Sequence, residues 1–191
     1  LNRVLAHEHG DMTATVEAGA TLRDVNRALA VHGQWLPLDP PFADTATIGG
    51  ILATNDSGPL RHRYGTPRDL VIGVRLATTD GVLSKAGGQV VKNVAGYDLG
   101  KLMAGSFGSL AAIVSATFKL SPIPQASKTL RLAVDGAEGI ARIVTTVMAS
   151  HLEPLGFEIA WRAGRHEQER QEVLLCFASL DAVVDAQVAQ A

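Results

Sequence analysis

The chain of 191 residues has a single cysteine, Cys176, so it can form neither an intrachain disulfide nor a cysteine-held metal cluster. Leu174, Leu175 and Phe177 beside it mark that thiol as a small buried hydrophobe. No apolar run approaches the ~18–20 residues of a membrane-spanning helix, and the first residues show no signal-peptide pattern. A net charge of −2 lacks the basic excess of a nucleic-acid binder. Aromatic residues make up only 5%. Glycine, by contrast, occurs 19 times, and 47% of residues are hydrophobic. That mixture suits a turn-rich α/β or α+β protein with a sizeable core, in one domain or two. The chain starts at Leu1, not Met, which predicts a piece of a longer protein with sequence missing at one end or both.

One stretch organises the rest, Pro37 to Gly58, PLDPPFADTATIGGILATNDSG. Its prolines fix φ and remove backbone donors. Gly49-Gly50 permits a tight turn or a close approach of a ligand to the main chain. Ile48, Ile51, Leu52 and Ala53 predict a short buried helical turn. The stretch holds three Asp and no Lys or Arg. A phosphate here would have to be held by backbone N–H groups. The alternative is a Gly/Pro-rich connector between strands.

The surrounding pattern is regular. Asp11–Ala18 alternates as a strand. Thr21 and Asp24 open a helix that carries Leu22, Val25, Ala28, Leu29 and Val31 and stops at Gly33. Arg61-His62-Arg63 is the one dense basic cluster of the first half, either facing an anion or forming a solvated turn. Asp69–Thr79, Asp80-Gly81 and Val82–Ala86 read as strand, hairpin turn and return strand, with Gln89–Val91 resuming the run. Asp98 heads a short helix with Leu99, Leu102 and Met103. A second glycine loop, Gly105–Ser109, feeds an apolar strand, Leu110–Leu120. Pro122 and Pro124 predict a boundary, giving domains 1–124 and 125–191. Beyond it come a strand (Ser127–Val134), a helix (Ala137–His151), a strand (Leu155–Trp161), a charged turn (Gly164–Gln171), a strand (Glu172–Phe177) and an amphipathic helix (Leu180–Ala191). That order is most of a split β-α-β unit of ferredoxin-like type.

PLDPP, TIGG, ATNDSG, RYG, KNVAGYDLGKLMAGSFGSL and LSPIP, in this order and spacing, resemble the FAD-binding domain of the vanillyl-alcohol oxidase (PCMH-type) family, in the branch of the FAD-binding subunit of bacterial glycolate oxidase. The resemblance covers Asp11–Pro124 well and the remainder more loosely. It implies an α+β fold of two subdomains gripping FAD, followed by the start of an antiparallel-sheet cap. It implies that Pro37, Asp39 and Pro40 flank the cofactor. Thr47, Ile48, Gly49 and Gly50 would supply amides, and the Thr47 hydroxyl a further donor. Ala53, Thr54, Asn55 and Gly58 would line the flavin side, and Phe107, Gly108, Ser109, Leu110 and Ile113 the adenine half. Tyr97 and Asp98 belong to the motif, either touching flavin or positioning the loop. The family's earlier phosphate loop would lie N-terminal to Leu1. The histidine that attaches flavin covalently in some members lies in that region, and none of the six His here is assigned to it.

The implied chemistry is hydride transfer from a small 2-hydroxy acid, glycolate to glyoxylate, to flavin. Such a substrate needs a cation for its carboxylate and a base near its hydroxyl. Arg61 and His62 are the candidates that this chain offers. The implied partners are a larger flavin subunit and an iron–sulfur subunit, in a cytoplasmic complex held at the inner face of the cell membrane through those partners. Two other readings stay open: a non-catalytic subunit of that complex, and another flavoenzyme of the fold, such as a D-lactate dehydrogenase or a UDP-N-acetylmuramate reductase.

Overall fold

The computed structural model describes residues 1–88, 97–162 and 170–191. The expected continuation at Gln89–Val91, the KNVAG segment and most of the charged turn at 164–171 lie outside the described residues. The described chain forms two compact units, Leu1–Ile123 and Pro124–Ala191.

In the first unit, β1 (Val4–Glu8), β2 (Thr13–Glu17), β4 (Val71–Ala77), β5 (Leu83–Gly87) and β6 (Ala112–Lys119) make one antiparallel sheet in the order β1-β2-β6-β4-β5. β2 pairs Val16 with Ala116, and β6 pairs Ala116 with Val74. These residues, with Ala14, Leu76 and Phe118, turn one face of the sheet into the core. Against it lie α1 (Leu22–Leu29), through Leu22, Val25 and Leu29, and α2 (Ile48–Thr54), through Ile48, Ile51 and Leu52. α1 begins as its sequence predicts. Thr21 accepts the Asp24 amide and donates its hydroxyl to the Asp24 carboxylate. After α1 a single turn of tighter helix ends at Gly33, which is left-handed at φ +66°.

β3 (Gln34–Trp35) pairs with β7 (Ser121–Pro122). The Asn26 side chain splints the same segment to α1 by bonding both the amide and the carbonyl of Leu36. The half-buried Trp35 ring meets Tyr64 edge-on at 5.8 Å, and its Nε1 is buried without an acceptor.

The expected strand from Asp69 starts two residues later. Pro67–Leu70 is instead one helical turn, α4, and Asp69 accepts both the amide and the hydroxyl of Thr66 in a capping box. Those two bonds hold the Asp69 carboxyl below its usual range. The basic cluster lies on another helical turn, α3 (Arg61–Tyr64). The Asp80-Gly81 hairpin forms as expected, with the Gly81 amide on Thr78 and the Thr78 amide on Val82.

A buried acid braces the start of the sheet. Arg3 donates its backbone amide and its Nε and Nη2 to Glu17, whose side chain is 7% exposed. The Arg3 side-chain bonds lead in lowering the Glu17 carboxyl from its ordinary 4.5 to about 2. The folded carboxylate is therefore the better acid. Its contribution to stability is complete above pH 4.5 and is lost as pH falls toward about 2. Acid titration of unfolding should show that loss in the wild type and a shallower slope over the same window in Glu17→Gln. An unchanged slope would mean that this pair does not govern the acid limb.

In the second unit, β8 (Ala126–Val134), β9 (Gly156–Arg162) and β10 (Arg170–Ser179) form an antiparallel sheet ordered β8-β10-β9. Val173, Leu175 and Phe177 on β10 pack against Val147 of α6 (Gly136–Ala149) and Val184 of α7 (Asp181–Gln190).

Candidate functional site

The two glycine loops meet at the C-terminal end of α2. The Gly105 amide donates to the carbonyl of Leu52 at 3.1 Å, and the Phe107 amide to that of Ala53 at 2.9 Å. The last carbonyls of a helix lack partners inside it, so the second loop satisfies orphan acceptors of the first. α5 (Leu99–Met103) brings the chain to this point. It is capped by Asp98, which accepts the Lys101 amide, and anchored by buried Met103. Asn55 ends α2 in the left-handed region at φ +57°, and its Oδ1 accepts the Arg68 amide at the start of α4. α2, α4, α5 and the 105–109 loop thus share one locus.

Asp39 fixes the other side of the first loop. Its two carboxylate oxygens accept the amides of Gly58, at 2.9 Å, and Leu60, at 2.8 Å. A Cβ at residue 58 would lie 2.5 Å from the Asp39 carbonyl oxygen, so the approach requires glycine. Pro37 and Pro40, both buried, hold the turn around Asp39. The Arg61 amide bonds the Gly58 carbonyl, and α3 with its basic cluster starts from this clamp.

The amides expected to face a phosphate are largely committed elsewhere. Ile48 donates to Ala20, Gly49 to Ala18 at 2.7 Å, and Gly50 to the Thr47 hydroxyl. The Ile48 side chain is fully buried. Ile48 and Gly49 thus dock α2 against the segment at 18–20, and the Gly50 amide is capped within the start of the helix itself. Thr54 is occupied too, donating its hydroxyl to the carbonyls of Gly50 and Ile51. Ser109 closes a turn onto the Ser106 carbonyl. Ile113 packs against the core and pairs with Leu76.

Hydroxyl hydrogens are unspent at both ends of α2, at Thr47 before its first turn and at Ser106 in the loop that meets its last. Thr47 accepts from Gly50, which leaves its hydroxyl hydrogen for another acceptor. The Ser106 hydroxyl is buried and has no partner, a cost that a bound polar group would remove. Ser106 is not among the residues that the resemblance sets at the cofactor; its place in Gly105-Ser106-Phe107-Gly108 is the one signal for it. Phe107 takes a left-handed φ of +53° and is 77% exposed, and Leu110 is 51% exposed. A Cβ on Gly108 would meet nothing within 4 Å. The locus combines open backbone, neutral hydroxyls and apolar side chains. That fits a large, partly aromatic cofactor carrying phosphates, with fewer donors than the sequence suggests.

A family model described as an FAD binding domain matches residues 1–87. Glycolate oxidase subunit GlcD of Bacillus subtilis is 35% identical over 158 residues, 83% of this chain and 34% of that protein. Glycolate oxidase subunit GlcE of Escherichia coli is 38% identical over 141 residues, 73% of this chain and 40% of that protein. The mitochondrial cytochrome D-lactate dehydrogenase of Arabidopsis thaliana is 38% identical over 81% of this chain and 28% of its own length. The chain thus spans well under half the length of these curated relatives. A solved structure of alkyldihydroxyacetonephosphate synthase superposes with a TM-score of 0.79 at 21% identity, over 99% of this chain and 39% of that one, and so shares its fold. By that family model and these relatives, the chain carries a PCMH-type FAD binding domain, and its cofactor is FAD.

Proposed function

We propose that this chain is the flavin-holding part of an FAD-linked oxidoreductase acting on a small 2-hydroxy acid. The observation that carries the reading is the junction of the two glycine loops at the end of α2. It gathers Ala53, Asn55 and Phe107 at one locus that Gly108 and Leu110 follow, with the Ser106 hydroxyl unpaired beside it and Thr47 at the opposite end of α2. FAD, when bound, supplies the hydride acceptor. In this reading the Thr47 and Ser106 hydroxyls donate to its oxygens, and Phe107 and Leu110 cover its apolar surface. Asp39 holds the 58–60 backbone from which α3 starts. Arg61 then takes the substrate carboxylate, and His62 accepts the proton of its hydroxyl. Relatives named as glycolate oxidase subunits and as D-lactate dehydrogenases support the 2-hydroxy acid class. Within that class we propose glycolate, in a complex with a larger flavin subunit and an iron–sulfur subunit, cytoplasmic and held at the membrane through them.

The visible spectrum of the full-length protein tests this reading. Flavin absorbance that bleaches anaerobically with glycolate, D-lactate or another 2-hydroxy acid is the expected result, and the acid that bleaches fastest names the substrate. A colourless protein whose loss disperses the complex would favour a non-catalytic subunit. In the flavin-loaded complex, Arg61→Gln should raise KM about tenfold or more by removing a charged hydrogen bond. His62→Gln should lower kcat about 100-fold. Unchanged turnover in both would remove α3 from the chemistry.

A further inference from the structure

The sheet of the first unit has two faces, and the flavin locus uses the one covered by α1 and α2. Side chains of the other parity point the opposite way. The register places them in two rows across β2, β6, β4 and β5. One row holds Thr15, Thr117 and Gly73, and the other Glu17, Ser115, Arg75 and Lys85. A cleft of about 220 Å³ opens on this face, lined by Thr15, Gly73, Arg75, Lys85, Ser115 and Thr117 among others.

Its charge arrangement is unusual. Arg75 and Lys85 stand directly opposite each other on adjacent strands. Like charges so placed destabilise an antiparallel pair. Among the described residues neither has a carboxylate partner, and the acid in their row, Glu17, is taken by Arg3. Hydroxyls complete the lining. Thr15 and Thr117 bond each other at 2.8 Å, which uses one hydroxyl hydrogen and leaves the second. Ser115, beside Arg75 in the register, brings another hydroxyl.

We propose that this cleft binds a compact oxyanion, a phosphate or a carboxylate, between Arg75 and Lys85. The guanidinium fork matches two oxygens of such a group, and the ammonium supplies a point charge on the other side. The threonine and serine hydroxyls give neutral donors from the floor. The bound anion removes the cross-strand repulsion that the empty pair carries. A volume below the ~300–1,000 Å³ of ordinary small-molecule sites suits a small ion or acid and excludes a dinucleotide. The site is separate from the flavin locus, on the opposite face of the same sheet.

The test follows the thermal unfolding midpoint of the full-length protein as sodium phosphate or sodium malonate is added, with ionic strength held constant by sodium chloride. The titrations are run with and without added FAD. A saturable rise with at least one anion, retained in the presence of FAD, is the expected result. The anion that acts at lower concentration tells phosphoryl from carboxylate. Arg75→Gln/Lys85→Gln should weaken the half-saturation point about tenfold or more. Lys85→Gln alone, followed by phosphorus NMR line width, gives a second reading if the double variant folds poorly. No saturable rise in the wild type, an equal rise in the double variant, or a response abolished by FAD would each overturn the proposal. The first two outcomes leave the flavin reading intact.

Discussion

Asp39→Ala is expected to lower stability by about 3 kcal/mol and to release flavin from the purified full-length protein. Asp39 accepts two backbone amides that no other group is placed to receive, those of Gly58 and Leu60. Hydrogen bonds to a charged acceptor are worth about 1.5–3 kcal/mol each, and water will recover part of that for a half-buried loop. The functional loss should exceed the stability loss. The freed segment carries the chain from Asn55, at the end of α2, to Arg61 and α3. Asp39→Asn keeps one acceptor oxygen and should retain an intermediate flavin content. Denaturant unfolding and the ratio of flavin to protein absorbance check both parts. Flavin content equal to the wild type in Asp39→Ala would show that the clamp does not serve the cofactor.

Gly49→Ala should have a comparable effect by a different route. A Cβ there would lie 2.8 Å from the Ala18 Cβ and 3.1 Å from the Ala18 carbonyl oxygen. That carbonyl already receives the Gly49 amide at 2.7 Å, so the helix cannot slide away without breaking the bond. Overpacking of this kind costs about 1–3 kcal/mol. Ala18→Gly removes the nearer of the two obstacles and should restore part of the loss in the double variant. Gly108→Ala is the contrast. The position is left-handed at φ +73° but open, so it should cost only the conformational term of about 1 kcal/mol. If Gly49→Ala proves no worse than Gly108→Ala, the tight docking of α2 is not what holds the first loop.

The contrast between local and distant signals explains how much was legible in the sequence. Thr21 with Asp24, Gly33 after the helix, and Asp80-Gly81 between strands act within a few residues. Each produced the cap, stop or turn that it announced. The meeting of the two glycine loops was visible only through the family resemblance, because the bonds from Gly105 and Phe107 join residues more than fifty positions apart. Sequence separation also hides the partners of the Ile48 and Gly49 amides, which lie 28 and 31 positions away. A TIGG segment with bare N–H groups reads as a phosphate cradle, and nothing near it shows that Ala18 and Ala20 will take them. Asp69 is the opposite case. Thr66-Pro67-Arg68-Asp69 has a helix-start pattern, with proline at the first helical position and an acid three residues after the threonine. The apolar run behind it gives the stronger signal, and that signal is for a strand.

The edge-on contact between Trp35 and Tyr64 gives the protein an internal optical reporter. Trp35 is half-buried beside the last residue of α3, whereas Trp161, the other tryptophan, is 61% exposed on the second unit. Their emission maxima should therefore separate, the buried indole to the blue. A displacement of the basic turn, or arrival of a yellow chromophore nearby, would dim or shift the blue component alone, so the first unit can be followed in solution without a label.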